Sequence, residues 1–98
     1  MAWTYILGCA DGSFYVGSTV DLERRMGQHN DGTGAAYTRR RRPMVLWWCA
    51  DFARVDEAFA FEKMVQGWNR RKRIALIEGR WEDLPALASR AWEHRDKR

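Results

Sequence analysis

Two short runs of strand-forming residues separated by a tight turn signal open the chain, and they constrain its fold more than any later segment. Ala2 to Cys9 is rich in β-branched and aromatic residues, Ala10-Asp11-Gly12-Ser13 supplies the turn, and Phe14 to Gly17 forms a second run. An Asp-Gly pair between two such runs predicts an antiparallel β-hairpin. Thr19-Val20-Asp21 then offers an N-cap for a helix reaching about His29, where Asn30-Asp31-Gly32-Thr33-Gly34 ends it. Along that helix Leu22, Arg25, Met26 and His29 fall at i, i+3, i+4 and i+7, so two ionisable side chains share the stripe that faces the protein.

The remainder alternates in the same way. Gly32 to Pro43 is predicted as a loop carrying Arg39, Arg40, Arg41 and Arg42. Met44 to Ala50 is apolar on both alternating faces, with Val45, Trp47 and Cys49 on one and Leu46, Trp48 and Ala50 on the other, which predicts a central strand covered on both sides. Ala58, Phe61, Val65 and Trp68 repeat at helical spacing and predict a helix from about Val55 to Trp68, with Glu62 inside its apolar stripe. Gly67-Trp68-Asn69 breaks that helix. Asn69 can cap a short basic helix from Arg70 to about Ile77, ended by Glu78-Gly79. A last helix is expected from about Asp83-Leu84-Pro85, with Leu84, Leu87, Ala88, Ala91 and Trp92 facing inward before a charged tail from Glu93 to Arg98.

With 98 residues the chain has room for one core and no second module, so residues 1–80 are assigned to the domain proper and 81–98 to a C-terminal helix and tail packed on it. The formal net charge of +4 favours an acidic partner, and nucleic acid is the usual one. Cys9 and Cys49 are far apart, lack Cys-x-x-Cys spacing and lie in apolar runs, which predicts buried thiols in a reducing, cytoplasmic setting. No apolar run approaches the roughly 18 residues of a membrane span, and the N-terminus lacks the order of a signal peptide.

The hairpin and the two helices bring chemistry together: Tyr5 and Tyr15 on paired strands, Arg25 and His29 on the first helix, and Glu62 on the second. Two phenols, a guanidinium, an imidazole and a carboxylate match phosphodiester hydrolysis, which needs a base for water, a cation for phosphoryl charge and a carboxylate for Mg²⁺. Nucleophilic catalysis fits less well, because Ser13, Ser18 and Ser89 stand in no elbow context.

Over roughly residues 2 to 78 the chain resembles the GIY-YIG nucleases, in particular their small single-domain bacterial members. The second signature tripeptide stands as Tyr15-Val16-Gly17, and the first as Trp3-Thr4-Tyr5, where only Tyr5 is retained. Tyr15, Arg25 and His29 stand where the family places its catalytic tyrosine, arginine and histidine, and Glu62 where it has its metal-binding glutamate. The loop Gly34-Ala35-Ala36-Tyr37-Thr38-Arg39, followed by Arg42-Pro43, also looks like the small members. The resemblance implies an α+β fold, a small three-stranded antiparallel sheet flanked by helices, and one divalent metal, Mg²⁺ or Mn²⁺. Larger members use a late asparagine, for which Asn69 is the nearest candidate.

The expected function is therefore a Mg²⁺-dependent DNA endonuclease acting on branched or damaged DNA in repair or recombination, working as a monomer. Tyr5, Tyr15, Arg25, His29 and Glu62 would form its catalytic set. Arg39 to Arg42, with Arg70, Arg71, Lys72 and Arg73, would grip the phosphate backbone. Two alternatives remain: a nucleic-acid-binding module of the same fold with weak cleavage, and a protein-interaction domain anchored by Trp81 and Trp92.

Overall fold

A computed structural model of the protein describes residues 1–80; the expected C-terminal helix, with Trp81 and Trp92, lies outside the described residues. The elements run β1 (Ala2–Gly8), β2 (Phe14–Thr19), α1 (Leu22–Asp31), α2 (Ala36–Arg39), β3 (Val45–Phe52), α3 (Val55–Gln66) and α4 (Arg70–Ile77). The strands form one antiparallel sheet in the order β2-β1-β3, so the fold is α+β as expected. One face packs against α3 and α4, joining Ile6 and Val16 to Phe61, Val65, Trp68, Ala75 and Leu76. The other face carries Tyr5, Leu7, Cys9 and Met44, against which Leu22 and Met26 of α1 pack.

The local signals behave as their chemistry requires. In the hairpin the Gly12 N–H donates to the Cys9 carbonyl at 3.0 Å and Gly12 takes φ 86°, a left-handed conformation that glycine adopts without strain. Asp21 caps α1 by accepting from the Arg24 N–H at 3.1 Å, and Asn69 caps α4 by accepting from Lys72 at 2.9 Å. Cys9 is buried, Cys49 half-buried, and both are free thiols. Among the described residues no helix is long and apolar enough to cross a membrane.

Two expectations are corrected. The central strand is β1, not the run from Met44, and β3 lies at an edge with Val45 and Trp47 more than half exposed. Strand β1 takes the middle because both its faces are covered: Tyr5 and Leu7 meet the α1 side, while the Thr4 hydroxyl donates to the Ala58 carbonyl of α3 at 2.7 Å. The alternation predicted along β3 fails at a bulge. Register slips by one residue between Ile6, paired with Trp48, and Leu7, paired with Leu46, leaving Trp47 as the extra residue. Trp47 then turns to the face occupied by Trp48, and its indole fills the space above Gly8, where a Cβ would lie 1.5 Å from Nε1. The second correction concerns the predicted loop at 32–43, which contains the short helix α2.

Candidate active site

The register of the hairpin sets the site. Tyr5 pairs with Gly17, which places the Tyr5 ring beside that of Tyr15, with centroids 6.5 Å apart. Gly17 is required here for space: a Cβ on it would lie 2.5 Å from the Tyr5 hydroxyl oxygen and 2.7 Å from Cζ. The glycine of the Tyr-Val-Gly signature thus makes room for the tyrosine of the first tripeptide.

Helix α1 lies over the same face and delivers Arg25 and His29. His29 is fully buried, its ring edge-on to Tyr5 and Tyr15 at 5.8 and 5.2 Å. Its two nitrogens are both engaged, Nε2 with the Tyr5 hydroxyl at 2.9 Å and Nδ1 with Thr38 Oγ1 at 2.8 Å. The far end gives these bonds a direction. Thr38 has one hydroxyl hydrogen and donates it to the Ala35 carbonyl at 3.0 Å, so its oxygen accepts from Nδ1–H. Nε2 is left bare, and Tyr5 donates to it.

Burial pushes the Tyr5 phenol up to about 12, against the opposing pull of a hydrogen bond from Arg25. Burial, helped by the charge of Arg25, pushes His29 down to about 4. Hydrogen bonding to Tyr5, opposed by desolvation and helped by a smaller interaction with Tyr15, favours the charged form of Arg25. Its Nη1 also donates to Gln28 Oε1 at 3.0 Å. A neutral imidazole and a neutral buried phenol therefore stand beside a permanent cation.

Glu62 stands apart. It projects from α3 on the opposite face of the sheet, where Oε1 accepts from Ser18 Oγ at 2.5 Å and Oε2 from Gln66 Nε2 at 2.7 Å. Gln66 stands at i+4 from Glu62, where helical neighbours meet, whereas nothing in the sequence joins Ser18 to them. The sheet separates Glu62 from the rings of Tyr5 and Tyr15, and among the described residues β2, which carries Tyr15, is its edge strand on this side. The structure thus gathers Tyr5, Tyr15, Arg25 and His29 into one cluster and holds Glu62 across the sheet.

Among the described residues no group of three His, Cys, Asp or Glu stands ready to hold a metal ion. Mg²⁺ does not need one, since it is commonly bound by one or two carboxylates together with phosphate oxygens and water. Glu62 fits that role: its bonded partners are a neutral hydroxyl and a neutral amide, and the Lys63 ammonium is 3.9 Å away.

The cations divide by what holds them. Arg41 bridges to Asp11 at 2.9 Å, donates to the Tyr37 carbonyl at 2.8 Å and lies 3.8 Å from the Tyr37 ring centroid. Arg73 donates to the Val65 and Gln66 carbonyls at the end of α3, and Arg70 donates to Gly12 while covering the Phe14 ring. Arg42 donates to the Arg39 carbonyl. Arg39, Arg40 and Arg71 are exposed, and Lys72 is half-buried. Asn69 serves as the cap of α4.

Residues 1–75 match the family described as the GIY-YIG catalytic domain. The chain is 47% identical over 74 residues to a UPF0213 protein of Bacillus pumilus, covering 76% of each, and 38% identical over 92 residues to one of Streptococcus pneumoniae, covering 93% of each. Among solved structures it is similar to the solution NMR structure of a UPF0213 protein from Bacillus halodurans, with TM-score 0.53 and 42% identity over 80% of this chain and 84% of that one. A protein of E. faecalis, also solved by NMR, gives TM-score 0.55 and 35% identity over 79% and 82%.

Proposed function

The chain belongs to the GIY-YIG family, and from that premise we propose that it is an endonuclease that hydrolyses phosphodiester bonds in DNA, with Mg²⁺ or Mn²⁺ held by Glu62. The observation that carries this reading is the cluster of Tyr5, Tyr15 and His29 around Arg25, a neutral aromatic site holding one fixed cation. Such an arrangement suits a reaction in which negative charge grows on phosphoryl oxygens.

The geometry supports distinct roles. Tyr5 is committed as a donor to His29, fully enclosed and raised to about 12, which argues against it as the base. His29 has both nitrogens occupied and is equally enclosed. Tyr15 is half-buried, less enclosed than Tyr5 and His29, so the water proton falls to it. Arg25, whose charged form is favoured by its contacts with Tyr5 and, to a smaller extent, Tyr15, is the cation beside that ring. Arg25 also faces the developing phosphoryl charge, while Tyr5 and His29 hold the ring and guanidinium in place. A bound divalent ion would supply Lewis acidity to the phosphate oxygens at Glu62. Branched or damaged DNA, in repair or recombination, remains the substrate class we favour.

A DNA-binding module with weak cleavage is the second reading, favoured by the single carboxylate. Glu62→Gln separates the two. It keeps shape and replaces the charge, so Mg²⁺-dependent cleavage of a junction or flap substrate should vanish while binding in Ca²⁺ stays near parental. Equal cutting by the Gln variant would remove Glu62 from the mechanism, and a parent that binds but never cuts would establish the second reading.

A further inference from the structure

Residues 35–41, expected as a plain loop with a phosphate-gripping arginine run, touch the site from outside at two points. Thr38, fully buried, receives His29 Nδ1–H and passes its own hydrogen to Ala35. Tyr37, next to it, stacks on Tyr15 with centroids 5.9 Å apart and planes inclined by 30°. Arg41 lies over the Tyr37 ring, 3.8 Å from its centroid, and Asp11 and the Tyr37 carbonyl hold it in turn. A backbone bond from Ala10 N–H to the Arg41 carbonyl at 2.9 Å fastens the same segment to the hairpin turn. Gly34 lets the chain pass this close: a Cβ there would lie 2.7 Å from His29 Nδ1.

We propose that α2 and its flanks form a brace that positions the reacting groups: Thr38 fixes the tautomer of His29, and Tyr37, pinned by Arg41, fixes the ring of Tyr15. Thr38 and Tyr37 are positioning residues, and Arg41 is a strut of the brace instead of a phosphate contact. The consequence for the site is directional. With Thr38 accepting, His29 can only accept from Tyr5, and Tyr5 stays a donor; without that hydroxyl the imidazole is free to protonate Nε2 instead, which turns the Tyr5 bond around or breaks it. Tyr37 is thus engaged by both Tyr15 and Arg41, and its role in the brace is to act on Tyr15.

This inference rests on the catalytic assignment of Tyr15 and His29, but one readout does not depend on activity. Thr38→Val keeps volume and removes the hydroxyl; Thr38→Ser restores it. In ¹⁵N-labelled protein the His29 ring resonances should report Nδ1–H in the parent and in the Ser variant, and shift toward Nε2–H or a mixture in the Val variant. Single-turnover cleavage by the Val variant should fall by about 10- to 100-fold, as for loss of an orienting partner, with DNA affinity within about twofold of the parent. Tyr37→Leu should lower the same rate, Tyr37→Phe should not, and Arg41→Gln should leave the salt dependence of DNA binding unchanged. A Val variant with the parental His29 spectrum, or an Arg41→Gln variant with a reduced salt slope, overturns the proposal. Should the parent cut no substrate, the nuclease reading falls while the His29 spectra still decide the role of Thr38. Should the Val variant fail to fold, the contrast between Tyr37→Leu and Tyr37→Phe decides the brace.

Discussion

Gly17→Ala tests the site at its tightest point. The added methyl would sit 2.5 Å from the Tyr5 hydroxyl oxygen, 0.9 Å short of the 3.4 Å at which ordinary contact begins, and 2.7 Å from Cζ. Tyr5 is 1% exposed and cannot swing to solvent without opening the core. Overpacking of this kind costs about 1–3 kcal/mol. Shifting the hydroxyl also strains or breaks its bond to His29 Nε2, and a buried acceptor left unsatisfied costs about 1–3 kcal/mol. Replacing glycine offsets about 0.4–1 kcal/mol through the unfolded chain. The balance is a loss of about 1–6 kcal/mol. Urea denaturation at neutral pH should show it as a lower midpoint with an unchanged slope. Combining the change with Tyr5→Phe provides the control: the oxygen contact disappears and the Cζ contact remains, so the alanine should cost less in the Phe background. A destabilisation within about 0.5 kcal/mol, the range of an ordinary surface substitution, would show that the Tyr5 ring has somewhere else to go and that Gly17 does not set its position.

Arg25→Ala should lower kcat by about 10² or more while DNA affinity changes less, because a cation facing developing charge is felt mainly in the transition state; equal losses in binding and turnover would reduce Arg25 to a ground-state grip. Replacing exposed Arg39 and Arg40 together with Gln should flatten the salt dependence of DNA binding by about 0.7–0.9 in log-log slope for each phosphate no longer neutralised, with turnover at saturating DNA near parental; an unchanged slope would direct attention to Arg71 and Lys72. Stability should depend on pH through His29. Its folded value near 4 lies below the ordinary 6.5, so the unfolded chain binds the proton more readily, and the contribution is complete above pH 6.5 and lost as pH falls toward 4. The shift corresponds to up to about 3 kcal/mol, and unfolding free energies at pH 7, 5.5 and 4 should lose that acid limb in His29→Gln. Tyr5 acts at the other end, its contribution complete below pH 10 and lost between 10 and 12.

Local chemistry is legible in the sequence and non-local choices are not. Asp11-Gly12, Asp21 and Asn69 announce a turn and two caps because each acts on backbone within three residues of itself. The inward stripe of α1 is visible for the same reason, and it holds Arg25 and His29 where expected. The strand order is hidden because β1 and the run from Met44 are both apolar on alternate residues, and only pairing decides which is covered twice. Strict alternation gives Trp47 a face that a single bulged residue then denies it. Helix α2 is four residues long, too short to show periodicity, and Thr38 gives no signal because its partner His29 lies nine residues away on another element. Glu62 stands out in the sequence as a carboxylate on an apolar stripe, yet nothing there says that the sheet stands between it and the tyrosines.

Among the described residues, strand β2 is an edge of that sheet. A sheet of three strands has two open sides, and a protein ordinarily shields such sides from pairing with other chains. On the β3 side the bulge at Trp47 interrupts regular pairing. The β2 side is different: on the proposed function, a fourth strand laid there would obstruct the way between Tyr15 and Glu62. Among the described residues a side chain already occupies one backbone group of this strand, where the Gln66 amide donates to the Val16 carbonyl at 3.2 Å. On the proposed function, a β-strand bound along β2 would therefore act as an inhibitor.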